Sequence, residues 1–155
     1  MGMDFECHNA PEKTDAAHLE PGVFTTGDMG HLDEDGYLWL SDRKIDMIIS
    51  RGVNIYPAEI EGVLGGHPLV ADVTVIGVPN EEFGEEVKAV VVANDGVEPD
   101  DSLRGTLAAF CRENLAGYKC PRSIDFADAL PRTGTGKVQK RKLRDPYWEG
   151  IDRQI

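Results

Sequence analysis

The sequence predicts an α+β fold, in which a small antiparallel or mixed sheet carries packed helices. Short Val- and Ile-rich runs indicate strands, and amphipathic stretches indicate helices. The two kinds of element alternate too irregularly for a doubly wound parallel sheet. The chain has 155 residues, of which 41% are hydrophobic, so it is long enough to bury the core of about one domain.

Little regular structure is predicted before residue 23. Residues 1–22 show neither helix nor strand periodicity, so this start is expected to come from inside a larger protein or to fold only against a partner surface. Residues 23–26 form a short strand-like run. Residues 32–40 place an Asp-Gly turn signal between two apolar segments, which is typical of a β-hairpin.

The middle of the chain predicts two more strands and a helix. Residues 45–50 are β-branched and apolar, and a turn over residues 51–54 allows a return strand. A helix begins at Pro57, where the missing N–H of proline costs nothing, and its apolar side chains recur at helical spacing. The Gly65-Gly66 pair ends this helix.

The second half predicts a strand pair, a longer helix and a short strand. Valine-rich runs over residues 70–78 and 87–93 indicate the strand pair, with a polar loop between them. Asp100 or Asp101 caps a helix that Gly117 closes, and residues 123–126 form the short strand.

Composition excludes several classes of protein. The net charge is −12, from 16 basic and 28 acidic residues, so general nucleic-acid binding is not expected. No apolar run approaches the ~18 residues of a membrane span, and residues 1–11 have no basic region followed by an apolar one, so a secretory signal is not expected. Cys7, Cys111 and Cys120 are widely spaced, which argues against a disulfide framework or a metal site and favours a reducing cytoplasm.

One acid-free segment, residues 131–144, holds six of the basic residues. Residues 131–136 form a Gly- and Thr-rich loop, expected to be mobile with free N–H groups, and residues 138–144 predict a short basic helix. Lys137 lies between them, where its ammonium is suited to binding an anion. The alternative is a flexible basic surface without a ligand. The glycine and hydroxyl pattern of a P-loop is missing.

Three motifs, in this order, resemble the adenylate-forming superfamily, which includes acyl-CoA synthetases, peptide-synthetase adenylation domains and luciferases. They are TGD at residues 26–28, a segment over residues 41–61 that contains DRK and NIYPAEIE, and LPRTGTGKVQK at residues 130–140. The resemblance implies that residues 42–155 are the C-terminal lid domain of an acyl-CoA synthetase. Residues 1–41 are then a remnant of the large adenylation domain.

The resemblance also implies which residues contact ATP. Asp28 would accept hydrogen bonds from the ribose hydroxyls, and Arg43 would contact the ribose or a phosphate near the hinge. Lys137 would be catalytic, because it meets the carboxylate and the α-phosphate as negative charge develops. Each residue, taken singly, also has a structural interpretation. Asp28 could be an acid of a turn, and Arg43 could form a surface ion pair with Asp42 or Asp46.

Further positions are implied at the hinge and at coenzyme A. The hinge position is Ile45, where the family commonly has Lys or Asp, and an apolar side chain there cannot make the same ionic contacts in both positions of the lid. Gly52, with Arg51 beside it, would approach coenzyme A, although Gly52 can equally serve a turn that needs a positive φ. Glu59 and Glu61 are interpreted as acids of the first helical turn.

The implied reaction uses ATP, coenzyme A and Mg²⁺, whose ligands would lie in the large domain. The implied partners are that N-terminal adenylation domain and a small carboxylic acid substrate. Two alternatives stay open. One is a non-catalytic α+β module that uses residues 131–144 to bind a phosphate or an acidic partner. The other is the lid of a different adenylate-forming enzyme. In either enzyme reading, the isolated chain is expected to be inactive.

Overall fold

A computed structural model describes residues 5–151 of the chain. The chain divides into two compact units, the first ending at Ile45 and the second beginning at Asp46. The predicted domain limits at residues 1 and 155 lie outside the described residues. None of the helices within residues 5–151 is long and apolar enough to cross a membrane.

The first unit contains a short helix and two antiparallel strand pairs. Helix α1 spans Pro11–Ala17, and strand β1 (His18–Glu20) pairs with β2 (Val23–Phe24). Strand β3 (Asp28–Leu32) pairs with β4 (Leu38–Arg43), which confirms the hairpin predicted from the Asp-Gly signal.

The expectation of no regular structure before residue 23 is wrong over α1 and β1. The helix has only seven residues and buries none of them, so it has no apolar face that a periodicity could reveal. Local hydrogen bonds stabilise it instead. The hydroxyl of Thr14 accepts from the N–H of Cys7 at 2.9 Å and donates to the carbonyl of Ala10 at 3.2 Å.

Asp33 organises the turn between β3 and β4. Its carboxylate accepts hydrogen bonds from the N–H of Tyr37 at 2.8 Å and from Nε1 of Trp39 at 2.7 Å. Both bonds lower the pKa of Asp33, and the bond from Trp39 has the larger effect. Gly36 completes the turn with a φ of +84°, a conformation that favours glycine.

The second unit is built on a mixed sheet, as the sequence predicts for an α+β fold. Its strands are β5 (Ile48–Ser50), β6 (Val53–Ile55), β7 (Val70–Asn80), β8 (Gly84–Ala93) and β9 (Ser123–Phe126). The order is β6-β5-β8-β7, all antiparallel, and β9 pairs with β8 in parallel. The long β7–β8 ribbon is therefore the frame to which the other elements attach.

Two amphipathic helices supply the rest of the core. Helix α2 spans Pro57–Gly65 and buries Ile60 and Leu64, and helix α3 spans Asp101–Asn114. Asp100 caps α3 by accepting the N–H of Leu103 at 2.9 Å. The buried side chains of α3 are Leu103, Leu107 and Cys111. Desolvation in this core, with a smaller effect of Cys120, raises the pKa of the Cys111 thiol to about 11.

Several predicted boundaries differ from the structure; the strand pair, for example, runs to Asn80 and from Gly84, beyond the predicted residues 78 and 87. The strand predicted from residue 45 starts at Ile48, because residues 44–46 form a 3-10 turn. Helix α3 ends at Asn114, and Gly117 instead begins a second 3-10 turn. The basic helix α4 spans Lys140–Arg144, two residues shorter than predicted, because Val138 pairs with Arg132 in a β-bridge.

Leu107→Ala is expected to lower the free energy of unfolding by about 2–5 kcal/mol, because the side chain is completely buried and its loss leaves a cavity. Urea unfolding followed by far-UV circular dichroism measures the change. Leu38→Ala is the matched control, since Leu38 is 64% exposed and lies in the first unit. Equal destabilisation by the two variants would contradict the assignment of the core.

Candidate functional site

Asp28 and Arg43 lie side by side where the β3–β4 hairpin begins and ends. They are direct register partners, and Nε of Arg43 is 3.4 Å from a carboxylate oxygen of Asp28. Arg43 also donates to the carbonyl of Thr26 at 3.3 Å. The side chains are 62% exposed for Arg43 and 32% for Asp28, so a ligand can reach both. The structure thus joins two motifs that the sequence treats separately.

The surroundings of this pair form an open pocket of about 650 Å³, lined in part by Phe24, Thr25 and Thr26. The N–H of Lys44 donates to the carbonyl of Gly27 at 2.8 Å, which closes the base of the hairpin. A carboxylate that accepts hydrogen bonds beside a planar cation is suited to a sugar that carries a phosphate.

The alternative ion pairs considered for Arg43 are wrong. Asp42 accepts the backbone N–H of Arg43 at 2.8 Å, and the side-chain cation pairs with Asp28 instead. Asp46 pairs with Arg144 at 3.5 Å. Ile45 is 52% exposed in the 3-10 turn at the end of the first unit, and its role as the hinge stays a prediction.

Lys137 lies at the end of a tight hairpin. The N–H of Thr133 donates to the carbonyl of Lys137 at 2.8 Å, and the N–H of Lys137 donates to the hydroxyl of Thr133 at 3.1 Å. Gly136 turns the chain with a φ of +84°, and its N–H donates to the carbonyl of Thr133 at 2.9 Å. The expectation of free N–H groups therefore does not hold at Thr133, Gly136 and Lys137, whose N–H groups are bonded within the hairpin, and the expected mobility stays a prediction.

The basic segment is mostly neutralised by acids of the same unit. Four of its six bases have a carboxylate partner, and the pairs are Arg132 with Asp72, Lys140 with Glu61, Arg141 with Asp145, and Arg144 with Asp46. Lys137 and Lys142 are exposed and have no ion-pair partner within residues 5–151. Only Lys137 of these two lies on the ordered hairpin, so its charge is available to an anion at a defined place.

Arg51 and Gly52 form the two-residue turn between β5 and β6. Their φ values are +51° and +77°, so the structural alternative for Gly52, a turn that needs a positive φ, is confirmed. Arg51 is an uncommon non-glycine residue in this region. Three contacts hold it: its N–H donates to the carbonyl of Phe83 at 2.9 Å, its guanidinium pairs with Glu82, and that group lies 4.0 Å from the Phe83 ring centroid.

A cationic pocket of about 440 Å³ lies beside this turn, and sequence reasoning missed it. Arg51, Arg112 and Arg122 line it together with Phe83 and Tyr118. The guanidinium of Arg122 lies 3.9 Å from the Phe83 ring centroid, so two arginines contact one ring. Guanidinium groups and aromatic rings suit an aromatic ligand that carries phosphates. These residues are far apart in sequence, so no local motif reveals the pocket.

Glu59 and Glu61 at α2 are held in ion pairs. Glu59 accepts from Lys119 through both oxygens, at 2.7 and 2.6 Å, and this hydrogen bonding raises the pKa of Lys119. Glu61 accepts from the hydroxyl of Thr74 at 3.0 Å and from the N–H of Val75 at 2.7 Å, besides its pair with Lys140. Within residues 5–151 no three His, Cys, Asp or Glu side chains come together as a metal site.

Known proteins are similar to this chain in sequence and in fold. The profile of the AMP-binding enzyme C-terminal domain matches residues 59–137, about half of the chain. The chain is 46% identical over 142 residues to the long-chain-fatty-acid–CoA ligase FadD13 of Mycobacterium tuberculosis, a match that covers 92% of this chain and 27% of that one. It is 45% identical over 145 residues to the fatty acid–[acyl-carrier-protein] ligase ScoC of Streptomyces coeruleorubidus, covering 94% and 27%.

A solved structure gives the same result. ATP-bound MatB from Rhodopseudomonas palustris superposes with a TM-score of 0.78 at 40% identity, covering 92% of this chain and 28% of that one. The chain therefore spans about a quarter of the length of the relatives it matches. It belongs to the family of AMP-binding enzyme C-terminal domains, the lid domains of the adenylate-forming superfamily.

Proposed function

We propose that the chain acts as the C-terminal lid of an acyl-CoA synthetase, which activates a carboxylic acid with ATP and transfers the acyl group to coenzyme A. The observation that carries this proposal is the presentation of Lys137, an exposed cation without an ion-pair partner within residues 5–151, on an ordered hairpin. Membership of the lid family supports it.

In the first step, an oxygen of the carboxylate attacks the α-phosphorus of ATP, and pyrophosphate leaves. Negative charge then accumulates on oxygens that the ammonium of Lys137 is proposed to neutralise. Asp28 and Arg43 are proposed to bind the nucleotide, the carboxylate by accepting from ribose hydroxyls and the guanidinium by contacting the ribose or a phosphate. Their adjacency, at 3.4 Å, supports a shared ligand.

In the second step, the thiol of coenzyme A attacks the acyl carbonyl of the adenylate, and AMP leaves. Gly52 and Arg51 are proposed to approach coenzyme A from the β5–β6 turn. The pocket beside the turn supports this proposal, since it adds the guanidinium groups of Arg112 and Arg122, which suit phosphates. Without a Cβ, Gly52 allows close passage of a ligand along the backbone.

The remaining assignments follow from this reaction. Mg²⁺ would accompany ATP, with its ligands in the large adenylation domain that is the proposed partner, and no step is assigned to a metal on this chain. A small carboxylic acid is the proposed substrate, and the cytoplasm is the proposed location. Ile45 is proposed as the hinge, where an apolar side chain cannot form the ionic contacts of Lys or Asp.

A second candidate is the lid of a ligase with another thiol acceptor. This second candidate is supported by the similarity to a fatty acid–[acyl-carrier-protein] ligase, at 45% identity. A chimera decides between them, in which this chain replaces the matched region of the Mycobacterium tuberculosis relative. Product formation with acyl carrier protein but not with coenzyme A would select the second candidate. The non-catalytic module would be selected if the chimera formed no acyl-adenylate.

The isolated 155-residue chain is expected to show no ligase activity, because it supplies only part of a nucleotide site. Pyrophosphate release with ATP and a panel of carboxylic acids measures this, and the chimera serves as the positive control. Turnover by the isolated chain would overturn the assignment as a lid.

Lys137→Ala in the chimera is expected to slow adenylation about 10²–10³-fold, because a preorganised cation is lost from the transition state. Fatty-acid-dependent exchange between ATP and labelled pyrophosphate measures this step. Transfer to coenzyme A from supplied acyl-adenylate is expected to be unchanged. Lys142→Ala is the matched control, since Lys142 is also exposed and has no ion-pair partner within residues 5–151. Unchanged adenylation in the Lys137 variant would contradict the proposed function.

Arg51→Ala is expected to raise the KM for coenzyme A about tenfold, because a charge-assisted contact to phosphate is lost. Adenylation, which precedes coenzyme A, should not change. Steady-state kinetics at saturating ATP and acid measure the effect. Arg141→Ala removes the same charge from a pair outside this pocket and serves as the control. An unaltered KM in the Arg51 variant would remove this turn from the coenzyme A site.

A further inference from the structure

We propose that Arg132 and Asp72 are positioning residues for Lys137, which fix its hairpin to the sheet so that the ammonium is presented in one place. This inference rests on the proposed function of Lys137 in adenylation. Neither residue is proposed to contact substrate. They act through the backbone on which Lys137 is carried.

The guanidinium of Arg132 connects the hairpin to the sheet. Its Nη1 donates to the carbonyl of Gly136 at 2.6 Å, and its Nη2 pairs with the carboxylate of Asp72. Gly136 immediately precedes Lys137, so the first bond holds the peptide group that leads to the catalytic side chain. Asp72 lies on β7, which is an edge strand of the five-stranded sheet.

Asp72 is itself held in place. Its second carboxylate oxygen accepts the N–H of Val73 at 3.0 Å, which restricts the rotation of the side chain. A continuous path of polar contacts therefore runs from β7 through Asp72 and Arg132 to the carbonyl before Lys137. In the backbone, Arg132 also pairs with Val138, so the guanidinium braces a hairpin that is already closed at its base.

A second ion pair fixes the other side of the hairpin. Lys140, three residues after Lys137, lies 2.9 Å from Glu61, and both side chains are mostly buried. Glu61 is fixed by the hydroxyl of Thr74 and the N–H of Val75, two residues of β7. The hairpin is thus tied to the same strand on both sides of Lys137, which itself remains exposed.

The expected effect of the Arg132–Asp72 pair is on the rate and not on global stability. Both side chains are partly exposed, and ion pairs of this kind contribute little to the free energy of unfolding. Catalysis is far more sensitive to placement, since a displacement of about 1 Å can cost on the order of 100-fold in rate. Loss of the pair should therefore slow adenylation without unfolding the domain.

The test compares Arg132→Ala, Asp72→Asn and the control Arg141→Ala in the chimera. Arg132→Ala and Asp72→Asn are expected to lower kcat for adenylation about tenfold or more, with less than a twofold change in the KM for ATP. Transfer to coenzyme A from supplied acyl-adenylate should be unchanged, because that step does not use Lys137. Arg141→Ala should behave as the parent, although it removes the same charge from the same segment.

The Asp72→Asn variant distinguishes the placement of the hairpin from the charge of Arg132. It leaves the cation of Arg132 present and keeps an oxygen that can accept from Val73, while it breaks the ion pair. Arg132→Lys should restore part of the rate, because an ammonium retains the charge but lacks the forked geometry that reaches both acceptors. Amide hydrogen exchange on the 155-residue chain adds a direct reading, with faster exchange at Thr133 and Lys137 expected in Arg132→Ala.

The outcomes are distinguishable. If Lys137→Ala stops adenylation while Arg132→Ala and Asp72→Asn keep the parent rate, the positioning role is overturned and the proposed function stands. If adenylation is slow in Arg132→Ala but not in Asp72→Asn, the charge of Arg132 matters and its ion pair with Asp72 does not. That result also overturns the inference. Unchanged adenylation in Lys137→Ala overturns both proposals.

Discussion

Charge pairing between the basic segment and the acidic unit beneath it is the interaction on which the candidate site depends. The chain carries an excess of acids, and those on β7, on α2 and at the start of the second unit pair with three of the segment's six cations. Pairs of this kind are weak singly, but together they fix a segment that contains only a five-residue helix. Within the described residues Lys137 and Lys142 remain without an ion-pair partner, and of these two Lys137 lies on the hairpin.

The sequence predicted the frame of the second unit well. The β7–β8 ribbon, α2 and the cap of α3 all follow from local signals, namely valine runs, a proline at a helix start and an aspartate before an amphipathic stretch. Short elements without a buried face, such as α1, were not predicted. Sequence periodicity reveals only elements that bury one face, and α1 buries no residue. The loop before Lys137 was interpreted from its glycines, and the hydrogen bonds of its threonine hydroxyls were not foreseen.

The site could be predicted only where it follows from contiguous motifs. Asp28, Arg43 and Lys137 lie in such motifs, but the contact of the first two depends on hairpin register, which the sequence does not specify. The arginine pocket is built from a turn, a helix and the segment before β9, so it exists only after folding. Three of the four carboxylate partners of the basic segment could not be predicted either, because they lie 60 to 98 residues away along the chain.

The Lys137 hairpin and the Arg51–Gly52 turn of the second unit attach toward opposite ends of the β7–β8 ribbon. The Lys137 hairpin attaches at Asp72, whose register partner on β8 is Val92, whereas the Arg51–Gly52 turn attaches through Ser50 to Gly84. Eight residues of extended strand separate Gly84 from Val92, or roughly 27 Å at about 3.4 Å per residue. We therefore do not expect one reacting group to meet both turns in a single arrangement of this unit. If Lys137 serves adenylation and the arginine turn serves coenzyme A, the unit must present a different face in each step. The proposed hinge at Ile45, the last residue of the first unit, would meet that requirement without deforming the sheet.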